Sequence, residues 1–192
     1  MKTGRAAAGG LIEEMVSMNA QSGPSGKVKK LLDAAVKEFN AALEAGRKKE
    51  ALKPHPEVWK KAIKQATKVL ELQPGSTLAL YLRARAYYYA GMYEGTLADL
   101  EKLAQIGPYT SVGMEGLPPR RLRAMACIKL GRFQEAENDL LEQIADLERA
   151  LAGIANSKEI VHNSDEFYWL LVCRNKGDER AAIREQFKTG SD

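Results

Sequence analysis

Two cysteines, Cys127 and Cys173, and two histidines, His55 and His162, are the only thiol and imidazole groups in the 192-residue chain. A structural metal site needs several such ligands converging, usually two to five residues apart in pairs. None of the four has a Cys or His neighbour at that spacing: His55 lies in a Pro-His-Pro break and His162 in a polar stretch that reads as a loop. Both cysteines fall inside helical patterns, where a thiol fills a small core position. Neither a metal nor a disulfide framework is expected.

Phosphate chemistry is the next candidate. Gly23, Pro24, Ser25, Gly26 and Lys27 look like the end of a phosphate-binding loop. However, the opening glycine of that motif would fall on Gln21 and its hydroxyl residue on Val28, and no buried strand leads into it. The stretch reads better as a turn before a helix. Carboxylates such as Glu13 with Glu14, or Glu135 with Glu137 and Asp139, sit in surface-like helical patterns. General acid chemistry needs one carboxyl desolvated or paired so that its affinity for a proton moves, and these read as solvated faces. The chain is expected to catalyse nothing and to hold no cofactor.

The elements that would position these groups are helices. From Ser25, apolar residues at Val28, Leu31, Leu32, Ala35, Phe39, Ala42 and Leu43 keep the three-and-four spacing of one helix face. Pro54, His55 and Pro56 break the chain, and a second helix runs from about Glu57 to Leu72, ahead of Pro74 and Gly75. The same punctuation gives helices over about 76–90 and 93–106, split by Gly91; 118–130 and 133–153, split by Gly131; and 164–175 and 178–188, split by Gly177. No alternating run long enough for a strand is present. The fold class is all-α, with residues 1–25 a flexible lead holding at most a short helix over 11–18, and residues 26–192 a helical-repeat domain.

The net charge of +4 and pI of about 9.0 favour an acidic partner mildly. Acidic and basic residues interleave, so nucleic-acid binding is not expected. No apolar run is long enough to span a membrane. No secretory core follows Lys2 and Arg5 before Glu13 and Glu14, so a cytoplasmic or other reducing intracellular location is expected.

Pro74 and Pro108 are 34 residues apart, and between them stand Leu80, Ala84, Tyr87, Gly91, Tyr93 and Leu100. Together with Trp59, Ala62 and Val69 before them, these residues resemble the tetratricopeptide repeat, a helix-turn-helix unit of 34 residues. Thr96 replaces the usual alanine and Ala66 a usual large residue. Ala124, Gly131, Phe133, Ala136 and Leu140 fit a further unit, and Leu170, Gly177 and Ala182 a degenerate last one. The resemblance implies a right-handed superhelix of three to four antiparallel hairpins, whose first helices line a concave groove.

Carried over residue by residue, the groove would be lined by Leu78, Tyr81, Arg85, Tyr88 and Tyr89, then by Arg121, Met125, Ile128 and Lys129, then by Phe167, Leu171 and Arg174. Such a surface suits an acidic or amphipathic peptide or helix of a protein partner, as in a scaffold or adaptor. Equally open is that the tyrosines pack against neighbouring helices and the arginines are solvated. A family subset holds chaperone carboxyl termini with lysine, asparagine and arginine side chains. This sequence departs from it, with Val36 four residues before Asn40, and Leu82, Pro118 and Leu122 at the later places. The alternative function is a constitutive subunit of a larger assembly, a ribonucleoprotein being one such assembly. The stripe Leu140, Leu141, Ile144, Leu147, Leu151 and Ile154 needs cover from the last hairpin or from a second subunit, so a homo-oligomer stays open.

Overall fold

Helix starts and stops follow the local chemistry closely. In the computed structural model, which describes residues 25–48, 56–107, 117–179, 181, 182 and 185, there are eight helices and no strand. They are α1 (Gly26–Lys48), α2 (Pro56–Leu72), α3 (Thr77–Tyr89), α4 (Tyr93–Ile106), α5 (Pro119–Lys129), α6 (Phe133–Ala150), α7 (Ser157–His162) and α8 (Asp165–Arg174). The expected lead over 1–24, the break at Pro54 and His55, Pro108, and most of the 178–188 helix lie outside the described residues.

Ser76 caps α3 by accepting from the Ala79 N–H at 3.4 Å, and Ser164 caps α8 by accepting from the Phe167 N–H at 3.2 Å. At the other end of α3, Gly91 adopts φ +80°. The Met92 N–H then reaches the Tyr87 carbonyl at 2.8 Å and the Gly91 N–H the Tyr88 carbonyl at 3.0 Å, the paired hydrogen bonds of a left-handed helix stop. Gly131 repeats this after α5, with Arg132 to Cys127 at 2.8 Å and Gly131 to Ile128 at 3.0 Å.

The stop after α8 differs from the sequence expectation. Lys176, not Gly177, takes the first left-handed position, with φ +52°, and Gly177 follows at φ +87°. The turn therefore carries one residue more than the other two, which shifts the last unit's register. A Cβ in the left-handed region costs roughly 1–2 kcal/mol, partly offset in a glycine variant by its greater unfolded-state entropy. Lys176→Gly is accordingly expected to stabilise by about 0.5–1 kcal/mol in chemical denaturation. A loss of stability would show that contacts of the lysine side chain outweigh the backbone cost.

Contacts divide the chain into two compact units, Met1–Pro119 and Arg120–Asp192. In the first, α1 packs on α2, α2 on α3 and α3 on α4, with α1 also touching α3. The α1 stripe Val28, Leu32, Ala35, Phe39 and Ala42 is buried against Trp59, Ala62, Ala66 and Val69 of α2 and Leu78, Leu82 and Ala86 of α3. Small residues at 35, 62, 66 and 86 let the helix axes approach while the large ones fill the grooves beside them. Thr96, in place of alanine, is fully buried and donates to the Ala84 carbonyl at 3.1 Å, which removes the cost of its hydroxyl.

In the second unit, α8 packs on α6 and short α7 touches both. Helix α6 stops at Ala150, three residues before the expected end, and the apolar stripe fades with it. Leu140 and Ile144 are buried, Leu147 and Leu151 half-buried, and Leu141 and Ile154 exposed. Helix α7 has no counterpart in the sequence reading, because six residues are too few for periodicity to reveal. His162 is the last residue of that helix rather than a loop residue.

Candidate partner-binding face

Helices α3–α4 and α5–α6 match at a constant offset of 40 residues. Leu82 and Leu122, Arg83 and Arg123, Ala84 and Ala124, Ala86 and Ala126, Gly91 and Gly131, Asp99 and Asp139, and Leu100 and Leu140 are identical pairs. These residues make the turn, the buried seam and an ion pair in each hairpin. Among the positions that differ are all five expected of the α3 groove: Leu78, a buried core residue, corresponds to Pro118, and Tyr81, Arg85, Tyr88 and Tyr89 correspond to Arg121, Met125, Ile128 and Lys129 in the match. Spaced i, i+4, i+7 and i+8, the last four share one helix face.

In the first unit that face is aromatic around one cation. Tyr81 is 4% exposed and its hydroxyl donates to the Leu117 carbonyl. Arg85 is half-exposed, with its guanidinium 4.9 Å from the Phe39 ring centroid and 5.5 Å from that of Tyr81. Its Nε is sealed from solvent without an acceptor. Tyr89 stacks on Trp59 at 4.8 Å, Trp59 packs against Phe39 at 5.4 Å, and Tyr88 meets both Tyr89 and Tyr93 at 5.6 Å. Tyr88 and Tyr89 are half-exposed. Periodicity marks Phe39 only as an α1 core residue; its second role, carrying Arg85, comes from the packing of α1 on α3, which no local signal encodes.

The expected residues of the second unit are occupied differently. Arg121 is 8% exposed and donates to Asp165 at 2.9 Å and Glu166 at 3.1 Å, both in the first turn of α8. Lys129 lies 3.6 Å from Glu179, and the Arg174 Nε donates to Glu137 at 3.0 Å. Met125 is half-buried, Leu171 and Ile128 are buried, and Phe167 rests 4.6 Å from the His162 ring. Each cation of this set thus has a carboxylate within its own unit.

The two matched ion pairs are unequal. Arg83 grips both oxygens of Asp99, from Nε and Nη2 at 2.7 Å each, and reaches the Thr67 hydroxyl at 3.1 Å. Arg123 holds only Oδ1 of Asp139, at 2.5 Å. Asp139 does not lie on a solvated face, as its sequence neighbourhood suggests. It is 7% exposed, and burial pushes its carboxyl up to about 6 against the pull of Arg123 and Arg120. Its Oδ2, and the Oε1 of Gln143 one turn on, are sealed without a donor. The 40-residue match to Asp99 is the signal that could have marked it as interior.

Burial also pushes both thiols up; the Cys173 Sγ–H donates to the Phe133 carbonyl at 2.8 Å. Among the described residues no three or more His, Cys, Asp or Glu side chains converge as a metal ion requires, and no helix is long and apolar enough to cross a membrane. Compared with protein-family models, curated proteins and solved structures, the chain matches none.

Proposed function

We propose that this chain is a protein-interaction module of tetratricopeptide type, a scaffold or adaptor that receives an acidic or amphipathic segment of a partner on the face formed by α3 beside α1. One observation carries the reading. Between two hairpins matched in register, the turn glycine, one ion pair and part of the buried seam stay the same while the stripe Tyr81, Arg85, Tyr88 and Tyr89 changes completely. Within that stripe Tyr88 and Tyr89 keep their aromatic rings half-exposed, which offers large contact area at low entropic cost. The charge balance agrees: residues 1–119 hold 17 Lys and Arg against 12 Asp and Glu, whereas residues 120–192 hold 12 against 13.

The test uses the whole chain as bait. Tyr88→Ala is expected to weaken retention of captured partners by roughly tenfold or more, the usual effect of removing an aromatic anchor, while Lys64→Ala on the exposed side of α2 changes nothing. Equal retention by both variants, with helical content intact by circular dichroism, would remove this face from the reading. The second reading, a permanent subunit, draws on Leu141, Ile154 and Ile160, which are 42%, 51% and 44% exposed in the second unit. A native mass well above that of the chain in dilute extract, insensitive to Tyr88→Ala, would favour it.

A further inference from the structure

Every described arginine side chain but one has a carboxylate: Arg83 has Asp99, Arg120 has Glu142 and Asp146, Arg121 has Asp165 and Glu166, Arg123 has Asp139, Arg132 has Glu135, Arg149 has Asp146, and Arg174 has Glu137. Arg85 is the exception. Its guanidinium is fixed between the faces of Phe39 and Tyr81, and its Nε is sealed off from water. Aromatic faces hold such a cation in place but accept none of its five N–H bonds. The folded unit therefore bears the cost of desolvating part of an arginine with no ion pair to offset it, and the matched position of the second hairpin does without it, as Met125.

We infer that Arg85 is an anion-recognition site that takes one carboxylate of a partner polypeptide, end-on through its terminal nitrogens, with an apolar side chain of the same segment lying on Tyr88 and Tyr89. This deepens the reading of α3 as a binding face and rests on it. The charge count sets the ligand class. The nearest other arginine on α3, Arg83, has both carboxylate oxygens of Asp99 and is committed inside the unit. A single guanidinium balances a monoanion, whereas a phosphate dianion calls for several cations. The geometry sets the neighbour. Residues three and four positions on from Arg85 present their Cβ atoms about 5–6 Å away on the helix surface. That is about 1 Å short of the roughly 6.5 Å between same-side residues two apart in an extended peptide, a gap that the long arginine side chain spans.

The probe is a set of amide-capped nonapeptides with one glutamate and a phenylalanine two residues later, titrated into the full-length chain. Affinity is followed by fluorescence anisotropy and the Arg85 Nε–H by NMR. Glutamate to glutamine in the peptide is expected to weaken binding by about tenfold or more on the wild type and by less than about twofold on Arg85→Met. Arg85→Lys should fall between them, having the charge without the fork. Methionine is chosen because the matched hairpin already accommodates it.

Equal glutamine penalties on wild type and Arg85→Met would overturn the inference, as would an unmoved Nε–H signal at peptide saturation. Tighter binding of a phosphoserine peptide than of the glutamate peptide would overturn the monoanion assignment. If peptides bind with Tyr88 dependence but without Arg85 coupling, the carboxylate site fails and the binding face stands. If coupling is found while the captured partners ignore Tyr88→Ala, the reverse holds.

Discussion

Asp99→Ala will destabilise the first unit by about 3–5 kcal/mol, because it leaves a buried guanidinium with no counter-charge. The Asp99 carboxylate is 3% exposed and the Arg83 side chain 14%, so bulk water cannot replace what is removed. Arg83 joins three helices: it takes both oxygens of Asp99 on α4, it donates to Thr67 on α2, and it lies over the Tyr87 ring at 5.7 Å on its own helix. An arginine keeps its proton at any ordinary pH, so the cation cannot escape by neutralising once Asp99 is gone. The Tyr87 ring lies close enough to Gly95 that a Cβ there would stand 3.1 Å from it.

The control is the double replacement Arg83→Met with Asp99→Leu. It should cost less than Asp99→Ala alone, since it removes the charge together with its partner. Urea denaturation measures both. A loss below about 1 kcal/mol for Asp99→Ala, the range of solvent-exposed ion pairs in general, would mean that water reaches Arg83 in solution.

How much of this is legible in the residues depends on whether the signal is local. The span of α4 can be placed at Tyr93–Ile106 from the sequence because Gly91 and Gly107 mark its ends by backbone chemistry. The α1 stripe can be read because five buried residues keep one period. The ion pairs cannot, since Arg83 and Asp99 stand 16 residues apart among many charges that look alike. The resemblance to the repeat family, carried over residue by residue, puts Arg121 in a groove. What buries it is a pair of acids at the start of α8, 44 and 45 residues later, which also suit the positive end of that helix. Arg85 does stand out in the sequence as a cation on the α3 stripe, and it is half-exposed there. Its distinction, the missing acid, becomes visible only when the partners of all the other described arginines are known.

The same comparison of hairpins fixes the sign of a pH effect at Asp139. Its folded carboxyl titrates near 6 against an ordinary 3.8, so the folded second unit binds this proton more tightly than the unfolded chain does. Between those two values folding takes up a proton. The contribution of Asp139 to stability is therefore greatest at the acid end, declines as pH rises through the window, and is flat once the group is ionised in both states. The gap between the folded and unfolded titrations corresponds to at most about 3 kcal/mol, and about 1–3 kcal/mol is expected. The charges facing it are Arg123 and Arg120 from α5 and Glu142 from its own helix. When the carboxyl is protonated at Oδ2 it becomes a donor, one helical turn from the orphaned Oε1 of Gln143.

Asp139→Asn should then flatten the pH dependence between about 4 and 6.5 and leave stability at about pH 7.5 unchanged or higher, whereas Asp99→Asn should lower it at every pH. Denaturation of a Trp59→Phe background, in which only Trp169 reports, isolates the second unit. The comparison must be between variant and parent, because Glu135, whose carboxyl is held below its usual range by the hydrogen bond from Arg132, drives stability the opposite way on acidification. Parallel pH profiles for parent and Asp139→Asn would show that Arg123 holds Asp139 ionised as firmly as Arg83 grips Asp99. The two hairpins would then share their electrostatics as well as their register.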